Sequence, residues 1–436
     1  MNKSRTFSIT TLGCKVNQFE SQVIARRLED AGLTPCNADE NTRVCIINTC
    51  TVTGKAAMQS RQAIRQAIRH HPDARIIVTG CYAQTAPEEI QAIPGVTALV
   101  PQSQKQCVAD IALERPCHPK PSESRCPRSL EHLVAGGRGR PFLKIQDGCE
   151  AFCTYCIVPY ARGPSRSVPA AAVLESLRKL RDEGFAEAVL TGIHLGIYGR
   201  DLQPPAALSG LLAQIARQQS IHRVRLSSIE PGELVEEIIR AAADTERRAG
   251  RLCPHFHIPL QSGDAGILGR MGRPYTPEFF SALLEDVRHL VPHAAIGSDV
   301  LVGFPGESED AFQNTLQRIQ DAPLTYLHVF PFSPRKGTPA ASLPNPVAPA
   351  VIKARCRQLR KIGMQKKSEF YNQFVDKKLE VVLETRIEAD LWQGTSENYI
   401  PMRVRAADGR PGKAVAARVT QVSADLVVTG SADTQS

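Results

Sequence analysis

Aromatic residues are scarce in this sequence: they make up 5% of its 436 residues, and only one of them is tryptophan. Aromatic rings are common stacking platforms for single-stranded nucleic acid. We therefore do not expect large aromatic platforms to dominate any nucleic-acid site of this chain. The composition is otherwise that of a globular protein, with 42% hydrophobic and 22% charged residues. Its length is typical of roughly two to four domains.

Long apolar runs are also missing, and none approaches the length of about 20 residues that a membrane span needs. The opening residues Met1–Thr6 lead directly into a strand-like run without the apolar stretch of a secretory signal. We expect a cytoplasmic protein with no membrane partner. Disulfides are rare in the cytoplasm, so most of the thirteen cysteines need another explanation. A role as buried small apolar side chains is expected for Cys36, Cys45, Cys253 and Cys356.

Basic residues are in excess, and the formal net charge is +9. Cations on a protein release counterions from a phosphate backbone, which favours polyanionic partners. This excess is a weak indication by itself, because many basic proteins bind no nucleic acid.

The first region, residues 1–115, alternates strands with helices, which predicts a parallel sheet. Its strands are expected at Phe7–Leu12, Val44–Asn48 and Arg75–Thr79, and its helices at Ser21–Ala31 and Ala56–His70. Residues 116–141 are rich in Pro, Gly, Ser and basic side chains, and predict a linker. Such a basic segment would either contact RNA or serve as a solvated tether.

The second region, residues 142–375, predicts a partial (β/α)6 barrel of the TIM type. Strands are expected at Phe142–Gln146, Ala188–Thr191, Arg223–Ser227, His255–Pro259, Ala294–Val302 and Thr325–Phe330. Helices are expected at Pro169–Glu183, Ala206–Gln218, Gly232–Ala243, Pro277–Leu290, Glu309–Ile319 and, strongly basic, at Pro349–Phe374. The fold class is therefore α/β, and the barrel's chemistry belongs at the C-terminal ends of its strands.

The last region, residues 376–434, changes to short strands separated by turns. Strands are expected at Lys378–Glu384, Tyr399–Arg405, Lys413–Val422 and Asp425–Gly430. This pattern is typical of a small closed β-barrel.

Cys149, Cys153 and Cys156 form a CxxxCxxC motif directly after the first barrel strand and Gly148. Thiolates this close in sequence can surround one compact metal centre. A structural zinc site would need a fourth Cys or His, which is not close in sequence, although a distant residue could supply it. An iron–sulfur cluster held by three cysteines keeps one iron open for a small ligand. Three unrelated buried thiols are the remaining alternative.

Cys14, Cys50 and Cys81 each follow one of the three predicted N-terminal strands. Because parallel strands end at the same edge of a sheet, we expect these three cysteines in one neighbourhood. A single cysteine at a strand end would carry no meaning, but three at equivalent positions predict a second three-thiolate cluster. Buried cysteines at strand ends are the alternative.

The CxxxCxxC motif after the first strand of a βα barrel resembles the radical-SAM superfamily. With the three N-terminal cysteines, the resemblance extends over almost the whole chain to the methylthiotransferases, which have an N-terminal methylthiotransferase domain, a radical-SAM core and a C-terminal TRAM domain. Four segments resemble the branch that acts on N6-threonylcarbamoyladenosine in tRNA: GCKVNQ at 13–18, NTCTVT at 48–53, VPYARGP at 158–164 and TGIHLG at 191–196. The isopentenyladenosine branch usually reads GCQMN at the first cysteine, and the ribosomal-protein branch GCPKN.

The resemblance implies two [4Fe-4S] clusters and S-adenosyl-L-methionine (SAM) as cofactors. The family reaction inserts sulfur and methyl at C2 of the adenine next to the anticodon, a carbon whose unactivated C–H bond calls for a radical. By resemblance, the cluster on Cys149, Cys153 and Cys156 generates an adenosyl radical from SAM. The cluster on Cys14, Cys50 and Cys81 would hold the sulfur, which a first SAM methylates.

Candidate SAM contacts lie at the barrel's C-terminal strand ends. They are Tyr155, Ser228, Glu230, Gln261, Asp299 and Gly303. Each of them would also suit a turn or packing role. Many radical-SAM enzymes carry Gly-Gly-Glu near the second strand, where this chain reads Thr191-Gly192-Ile193-His194. The acidic contact to the methionine amine is therefore left open.

By resemblance, the C-terminal module is a TRAM domain that grips RNA. Basic residues available for phosphate contacts are Lys377, Lys378, Arg386, Arg403, Arg405, Arg410, Lys413 and Arg418. The implied partners are the anticodon stem-loop of tRNA and an electron donor such as a flavodoxin-type reductase system.

Two kinds of alternative remain. The same chemistry could act on an isopentenylated adenosine or on a ribosomal-protein aspartate, and a non-catalytic RNA-binding protein with structural metal would belong to a different class. Cys107, Cys117 and Cys126 match no cluster position, and we expect them to be free thiols in the linker.

Overall fold

The computed structural model describes residues 6–37, 42–117, 139–244 and 249–432. Most of the linker predicted for residues 116–141 lies outside these ranges, and so does Cys126. Two compact units are formed. The first unit comprises residues 1–134, 146–168 and 333–341, and the second unit comprises residues 135–145, 169–332 and 342–436. The division into four domains remains a prediction.

A five-stranded parallel sheet with the order β2-β1-β3-β4-β5 forms the centre of the first unit. Its strands are β1 (Thr6–Thr11), β2 (Thr34–Pro35), β3 (Val44–Thr49), β4 (Arg75–Gly80) and β5 (Ala98–Leu99). Every residue of β3 is buried because both faces of the sheet are covered. Ile46 packs with Leu28 on one face, and Ile47 with Ile64 on the other. The three predicted strands are confirmed; β2 and β5 are too short to show a pattern.

The helices of the first unit's N-terminal part are α1 (Lys15–Asp30), α2 (Gly54–His70), α3 (Cys81–Thr85), α4 (Pro87–Gln91) and α5 (Val108–Ala112). α1 begins well before the predicted start at Ser21. Its first turns bury the polar residues Asn17 and Glu20 beside Val16 and Phe19, so the apolar pattern is interrupted there. The partners that make this burial possible become visible only in three dimensions.

A short antiparallel pair also belongs to the first unit: β7 (Gln146–Asp147) and β8 (Arg166–Ser167). The segment between them carries Cys149, Cys153 and Cys156 and ends in the short helix α6 (Val158–Arg162). Pairing of β7 with β8 brings the two ends of this segment together, so the three cysteines lie on a closed loop.

Cys107 and Cys117 form a disulfide, so the expectation that they are free linker thiols is wrong. Cys107 ends the 3-10 helix Gln102–Cys107 and is buried. The folded chain places its Cα atom 5.6 Å from that of Cys117, which is a usual separation for a disulfide. Cys45, Cys253 and Cys356 are buried thiols, as predicted, whereas Cys36 is half-buried.

The second unit contains the predicted partial barrel. Its six parallel strands are β6 (Phe142–Lys144), β9 (Glu187–Thr191), β10 (Arg223–Leu226), β12 (His255–His257), β13 (Ala295–Val302) and β14 (Tyr326–Pro331). They form two hydrogen-bonded sheets, β11-β10-β9-β6 and β12-β13-β14, with the short β11 (Arg251–Leu252) at one edge. A parallel bridge between Ser228 and His257 joins the two sheets. All six predicted strands are confirmed.

Helices follow the barrel strands as expected: α7 (Ala170–Asp182), α8 (Leu208–Gln218), α9 (Glu236–Ala243), α11 (Pro277–Leu290), α12 (Glu309–Asp321) and α13 (Pro349–Asn372). An additional helix, α10 (Ala265–Met271), begins at the N-cap Asp264, whose side chain accepts the N–H of Ile267. Among the described helices, none is both long and apolar enough to cross a membrane.

The C-terminal part of the second unit is a closed barrel with the order β15-β16-β17-β19-β18. Its strands are β15 (Lys378–Arg386), β16 (Leu391–Ser396), β17 (Pro401–Arg405), β18 (Ala414–Val422) and β19 (Val428–Ala432). Trp392, Met402 and Val404 are buried in its core. The barrel is confirmed; β16 escaped the sequence pattern because polar Gln393 and Gly394 interrupt it.

A buried cluster of charges joins the two barrels within the second unit. Glu187 on β9 forms ion pairs of 2.7 Å with Arg223 and Arg225 on β10. Arg223 also pairs with Glu380 on β15, and Arg225 donates to the backbone oxygen of Ser396 on β16. Burial alone would raise the pKa of Glu187, but the arginines hold it well below its usual range. Glu187 is therefore ionised inside the protein.

Candidate active site

Cys14, Cys50 and Cys81 are brought to one edge of the first unit's sheet. Cys50 follows the last residue of β3, and Cys81 follows the last residue of β4. The last residues of these two strands, Thr49 and Gly80, are paired in register. Cys14 lies just beyond the end of neighbouring β1. With the order 2-1-3-4-5, the sheet reverses its winding between β1 and β3, and the crevice beyond that point is the usual ligand site of such sheets.

Gly13 allows this close approach of Cys14 to Cys50. Its φ is +94°, a conformation that other residues rarely adopt. A Cβ atom on Gly13 would lie 2.8 Å from both Cβ and Sγ of Cys50. A larger residue at position 13 would therefore push the Cys50 side chain away from Cys14.

The three thiols at this edge differ in exposure: Cys14 is exposed, whereas Cys50 and Cys81 are buried. Burial, helped by the neighbouring thiols of Cys81 and Cys14, raises the pKa of the Cys50 thiol to about 11. Burial also raises the pKa of Cys81, which the charge of Arg162 opposes. Buried thiols of this kind ionise when they bind a metal, because the ion replaces the lost hydration.

The CxxxCxxC loop is held in shape by its own backbone. The N–H of Cys149 donates to the carbonyl of Gly163 at 3.0 Å, and that of Cys156 to Cys153 at 2.9 Å. Gly148 has a φ of +79°, and a Cβ there would lie 1.9 Å from the carbonyl oxygen of Pro164. The three cysteines of the loop are half-buried. Their side chains are thus presented from a fixed backbone and remain accessible to a ligand.

A buried arginine connects the two cysteine sets. The Nη1 of Arg162 donates to Asp147, two residues before Cys149, at 2.8 Å. Its Nη2 donates to the side-chain oxygen of Asn17, three residues after Cys14, at 2.7 Å. Both hydrogen bonds are buried. The guanidinium therefore links the segment of one cysteine set to that of the other.

Glu20 and Asn17 extend this network. Glu20 accepts from Arg162 at 3.1 Å and from Lys105 at 2.6 Å. The amide of Asn17 donates to the carbonyl oxygens of Leu12 and Thr49, at 2.8 and 3.0 Å. Leu12 and Thr49 lie at the ends of β1 and β3, the strands that lead to Cys14 and Cys50. Sequence reasoning assigned no role to Arg162, Asn17, Glu20 or Lys105, although Asn17 and Arg162 lie inside two of the segments that carry the resemblance.

The donor set of each cysteine group fits an iron–sulfur cluster. Each group offers three thiols, and cysteine thiolates are the usual ligands of such clusters. A closed structural zinc site takes four Cys or His ligands. A separate group of three possible metal ligands, His257, Asp299 and His328, has its ligand atoms within 4.8 Å of one another.

The predicted SAM contacts lie in different environments. Tyr155 belongs to the cysteine loop of the first unit, and the other five residues belong to the second. Ser228 is exposed at the end of β10, and Gln261 adopts a φ of +66° beside β13. Gly303 donates its N–H to Glu307, and a Cβ on it would meet Ile352 at 2.4 Å. The close packing against Ile352 is by itself a reason for glycine at 303.

Two predicted SAM contacts are carboxylates that already have partners. Glu230 forms an ion pair with Arg273, and burial raises its pKa. Asp299 accepts hydrogen bonds from His257 at 2.8 Å and from His328 at 3.2 Å. The role of all six residues in SAM binding remains a prediction. His257 and His328 were not predicted as site residues from the sequence, because their proximity to Asp299 depends on strand register.

Two family models match the chain. Residues 6–101 match a family described as uncharacterized protein family UPF0004, and residues 143–319 match the radical SAM superfamily. The first match contains Cys14, Cys50 and Cys81, and the second contains Cys149, Cys153 and Cys156. The two cysteine sets thus lie in different family regions, although one structural unit holds both.

Curated relatives match nearly the whole chain. It is 37% identical over 426 residues to the threonylcarbamoyladenosine tRNA methylthiotransferase MtaB of Bacillus subtilis (strain 168), covering 95% of this chain and 93% of that protein. It is 32% identical over 398 residues to the tRNA-2-methylthio-N(6)-dimethylallyladenosine synthase of Moorella thermoacetica, covering 88% of each.

One solved structure with a similar fold is that of the radical S-adenosylmethionine methyltransferase TsrM from Kitasatospora setae, with cobalamin and a [4Fe-4S] cluster bound. The TM-score is 0.57 over 78% of this chain and 77% of that chain, at 15% sequence identity. At this identity the likeness shows a shared fold and nothing more specific.

Proposed function

The chain belongs to the tRNA methylthiotransferase family of radical-SAM enzymes, and we propose that it attaches a methylthio group to C2 of N6-threonylcarbamoyladenosine, 3′ to the anticodon of tRNA. It is an enzyme whose cofactors are SAM and two [4Fe-4S] clusters. The observation that carries the proposal is the placement of two three-cysteine sets in one compact unit, linked by the buried side chain of Arg162.

Cys149, Cys153 and Cys156 would hold one cluster, and Cys14, Cys50 and Cys81 the other. Bound there, the clusters would supply electron transfer to SAM and an iron site for the transferred sulfur. Each set provides three thiolates, which leaves one iron of a four-iron cluster without a protein ligand. The chain's own contribution is to keep both sets in a fixed geometry through the contacts of Arg162 with Asn17, Glu20 and Asp147.

SAM would be held by Tyr155, Ser228, Glu230, Gln261, Asp299 and Gly303. Four of these residues, Ser228, Glu230, Gln261 and Gly303, lie just beyond the C-terminal ends of barrel strands, where barrels of this type bind their ligands, and Asp299 lies within β13. The carboxylates of Glu230 and Asp299 suit the amine of the methionine moiety or the ribose hydroxyls of SAM. His194 stands where the usual Gly-Gly-Glu has its acidic residue, and its Nε2 lies 2.8 Å from Oε1 of Glu233. Glu233 is thus a further carboxylate near that position.

The anticodon stem-loop of tRNA would contact the C-terminal barrel. Lys378, Arg403 and Arg410 are exposed on it, and so are Lys377, Arg386, Arg405 and Arg418. Arg405 already pairs with Asp390, and Arg418 donates to the backbone of Asp376. Arg403 and Arg410 are therefore the better candidates for phosphate contacts, and exposed Lys378 is a further one.

The proposed setting is the cytoplasm, where tRNA is processed and where a flavodoxin-type reductase system would supply electrons. The alternatives are a dimethylallyl- or isopentenyl-adenosine in tRNA, an aspartate of a ribosomal protein, and a metal-containing RNA-binding protein without activity. The similarity to the dimethylallyladenosine enzyme of Moorella thermoacetica keeps the first of these open.

The decisive experiment is reconstituted turnover on defined tRNAs without oxygen. Full-length protein, iron and sulfide, SAM and a reductant are incubated with tRNA carrying either N6-threonylcarbamoyladenosine or N6-dimethylallyladenosine. Mass spectrometry of the nucleosides should reveal the 2-methylthio product of the first tRNA. A product of the second tRNA alone would reject the proposed substrate.

Iron analysis separates the enzyme from a binding protein. Two clusters predict roughly eight iron atoms per chain. Cys149→Ala and Cys50→Ala should each remove about half of them, whereas Cys356→Ala, a buried thiol outside both sets, should leave the iron content unchanged. Zinc at one equivalent without SAM cleavage would contradict the proposed chemistry.

A further inference from the structure

A row of five polar side chains crosses the barrel of the second unit on β12, β13 and β14. His255 and His257 both contact the hydroxyl of Tyr326, through Nε2 at 2.8 Å and Nδ1 at 3.0 Å respectively. The other ring nitrogen of His257 lies 2.8 Å from Oδ1 of Asp299, which also lies 3.2 Å from Nδ1 of His328. The row is thus one continuous hydrogen-bonded chain.

These side chains share the face of the strands that is turned away from the helices. Successive side chains of a strand point to opposite faces. On β14, Leu327 packs against Gly363 of α13, with its Cβ 3.1 Å from where a Cβ of that glycine would be. Tyr326 and His328, the neighbours of Leu327, therefore point to the inside of the barrel. The two ends of the row differ in solvent exposure: His255 is buried, whereas the side chain of His328 is 52% exposed.

Hydrogen-bond chemistry fixes the direction of the two bonds to Asp299. Burial would raise the pKa of Asp299, but hydrogen bonds from His257 and His328 hold it well below its usual range. An ionised carboxylate only accepts, so Nε2 of His257 and Nδ1 of His328 both donate to it. The hydroxyl of Tyr326, which can both donate and accept, connects His257 to His255.

The separations favour this hydrogen-bonded arrangement over a metal ion. Bonds of about 2.0–2.1 Å in a tetrahedral zinc site place its ligand atoms about 3.3 Å apart. The 2.8 Å between His257 and Asp299 is shorter than that and is an ordinary length for a hydrogen bond to a carboxylate. The two atoms therefore share a proton in this structure.

The consequence concerns His328, at the exposed end of the row. Its Nδ1–H is held by Asp299, so Nε2 on the far side of the ring is directed away from the row. Asp299 and His328 are paired in register midway along β13 and β14, two residues beyond the level of His257, where β12 ends. They therefore lie on the C-terminal side of the end of β12, the side on which such barrels bind ligands. A ring nitrogen with a fixed direction at this position suits a ligand that presents a polar, hydrogen-bonding group.

We propose that His328 determines substrate specificity through a hydrogen bond between its Nε2 and the N6 substituent of the target adenosine, with Asp299 as the residue that positions it. The inference rests on the proposed function. A threonylcarbamoyl group carries N–H, hydroxyl and carbonyl groups that can form this bond, whereas a dimethylallyl group has no hydrogen-bonding group. A site that pairs with a polar substituent discriminates against an apolar analogue, because the analogue displaces water from the ring nitrogen without replacing its hydrogen bond.

The test compares His328→Phe and His328→Gln with the unaltered enzyme in the reconstituted assay. His289→Ala, which removes an exposed histidine of α11, is the control. We expect His328→Phe to raise KM for threonylcarbamoylated tRNA about tenfold to hundredfold, and to raise it by a larger factor than KM for SAM, which its partner Asp299 would contact. Gln keeps a hydrogen-bonding amide and should recover part of the loss. His289→Ala should behave as the unaltered enzyme does.

Three outcomes would overturn the inference. If KM for the tRNA does not change in His328→Phe, the residue does not contact the substituent. If KM for SAM rises instead, His328 belongs to the cofactor site. If the loss is equal for tRNA with unmodified adenosine at that position, the contact is not with the substituent. A lack of activity of the unaltered enzyme on threonylcarbamoylated tRNA would be a failure of the proposed function and is distinguishable from all three.

Discussion

Arg162 donates a 2.7 Å hydrogen bond to the side-chain oxygen of Asn17, a residue 145 positions earlier in the chain. Asn17 follows Cys14, and Arg162 follows Cys156, so this one bond connects the two cysteine segments that are proposed to bind metal in the first unit. Arg162 is buried, and so are its carboxylate partners Glu20 and Asp147. The geometry of the proposed active site thus depends on a charge that itself binds no metal.

Arg162→Met tests this dependence. The substitution leaves two buried carboxylates short of a partner, which costs about 3–5 kcal/mol of stability. We expect a lower free energy of unfolding in urea and a lower iron content after reconstitution. Arg178→Met removes an exposed arginine of α7 that pairs with Glu175. It should lower the free energy of unfolding by no more than about 0.5 kcal/mol and leave the iron content unchanged. Equal behaviour of the two variants would contradict a positioning role for Arg162.

Gly13→Ala should selectively damage the site at the sheet edge. The new Cβ would lie 2.8 Å from Sγ of Cys50, in a backbone conformation with φ of +94°. Reconstituted iron should fall by about half, from roughly eight to roughly four atoms per chain. Gly32→Ala is a matched control, since its φ is +84° but nothing lies within 4 Å of its Cβ. It should lose about 1 kcal/mol of stability through backbone strain and keep its iron. If Gly32→Ala also loses iron, backbone strain by itself reduces iron loading, and the contact with Cys50 is not the cause.

Acid should weaken the junction of the two barrels in the second unit. Burial would raise the pKa of Glu380, but His222, Arg223 and Arg251 lower it to about 2. A carboxyl group with a depressed pKa stabilises the fold above its unfolded pKa of about 4.3, and this stability is lost as pH falls from about 5 to 2.

Glu380→Gln should therefore lower the free energy of unfolding at pH 7 by about 2 kcal/mol and flatten its decline below pH 5. Glu388→Gln, which alters an exposed residue of the same barrel, is the control and should retain the steep decline. Urea unfolding at several pH values measures both. If the free energy of unfolding of Glu380→Gln depends on pH as that of the unaltered protein does, Glu380 is not the source of the acid sensitivity.

The C-terminal barrel should contribute phosphate contacts that depend on salt. Lys378→Gln with Arg403→Gln removes two exposed cations without touching the buried charges around Glu187. We expect weaker tRNA binding, and a slope of log affinity against log salt that is smaller by about one for each lost contact. Arg178→Gln is again a surface control. Affinity that is unchanged across a salt titration would argue against RNA binding by this face.

Much of the architecture was predictable because its signals are local. Alternating strands and helices predicted the parallel sheet and the six barrel strands, and the change to short strands after residue 376 predicted the C-terminal barrel. The N-terminal cysteine set was visible as residues that recur at strand ends, and the other set as a CxxxCxxC motif. Local signals failed where elements are short, as in β2 and β5, and where buried polar residues replace an apolar pattern, as in the first turns of α1. The disulfide between Cys107 and Cys117 was also missed, because cysteine spacing does not reveal distance in space.

The sequence by itself determined the fold class and predicted six cysteines as metal ligands, because residue type and spacing along the chain are local properties. The type of chemistry followed from the resemblance of its motifs to a known family. Only the tertiary structure decided which distant charges meet: Arg162 with Asn17 and Glu20, Glu187 with Arg223 and Arg225, and Asp299 with His257 and His328. The physical reason is that burial of a charge requires a partner, and strand register and helix packing select that partner from residues far apart in sequence.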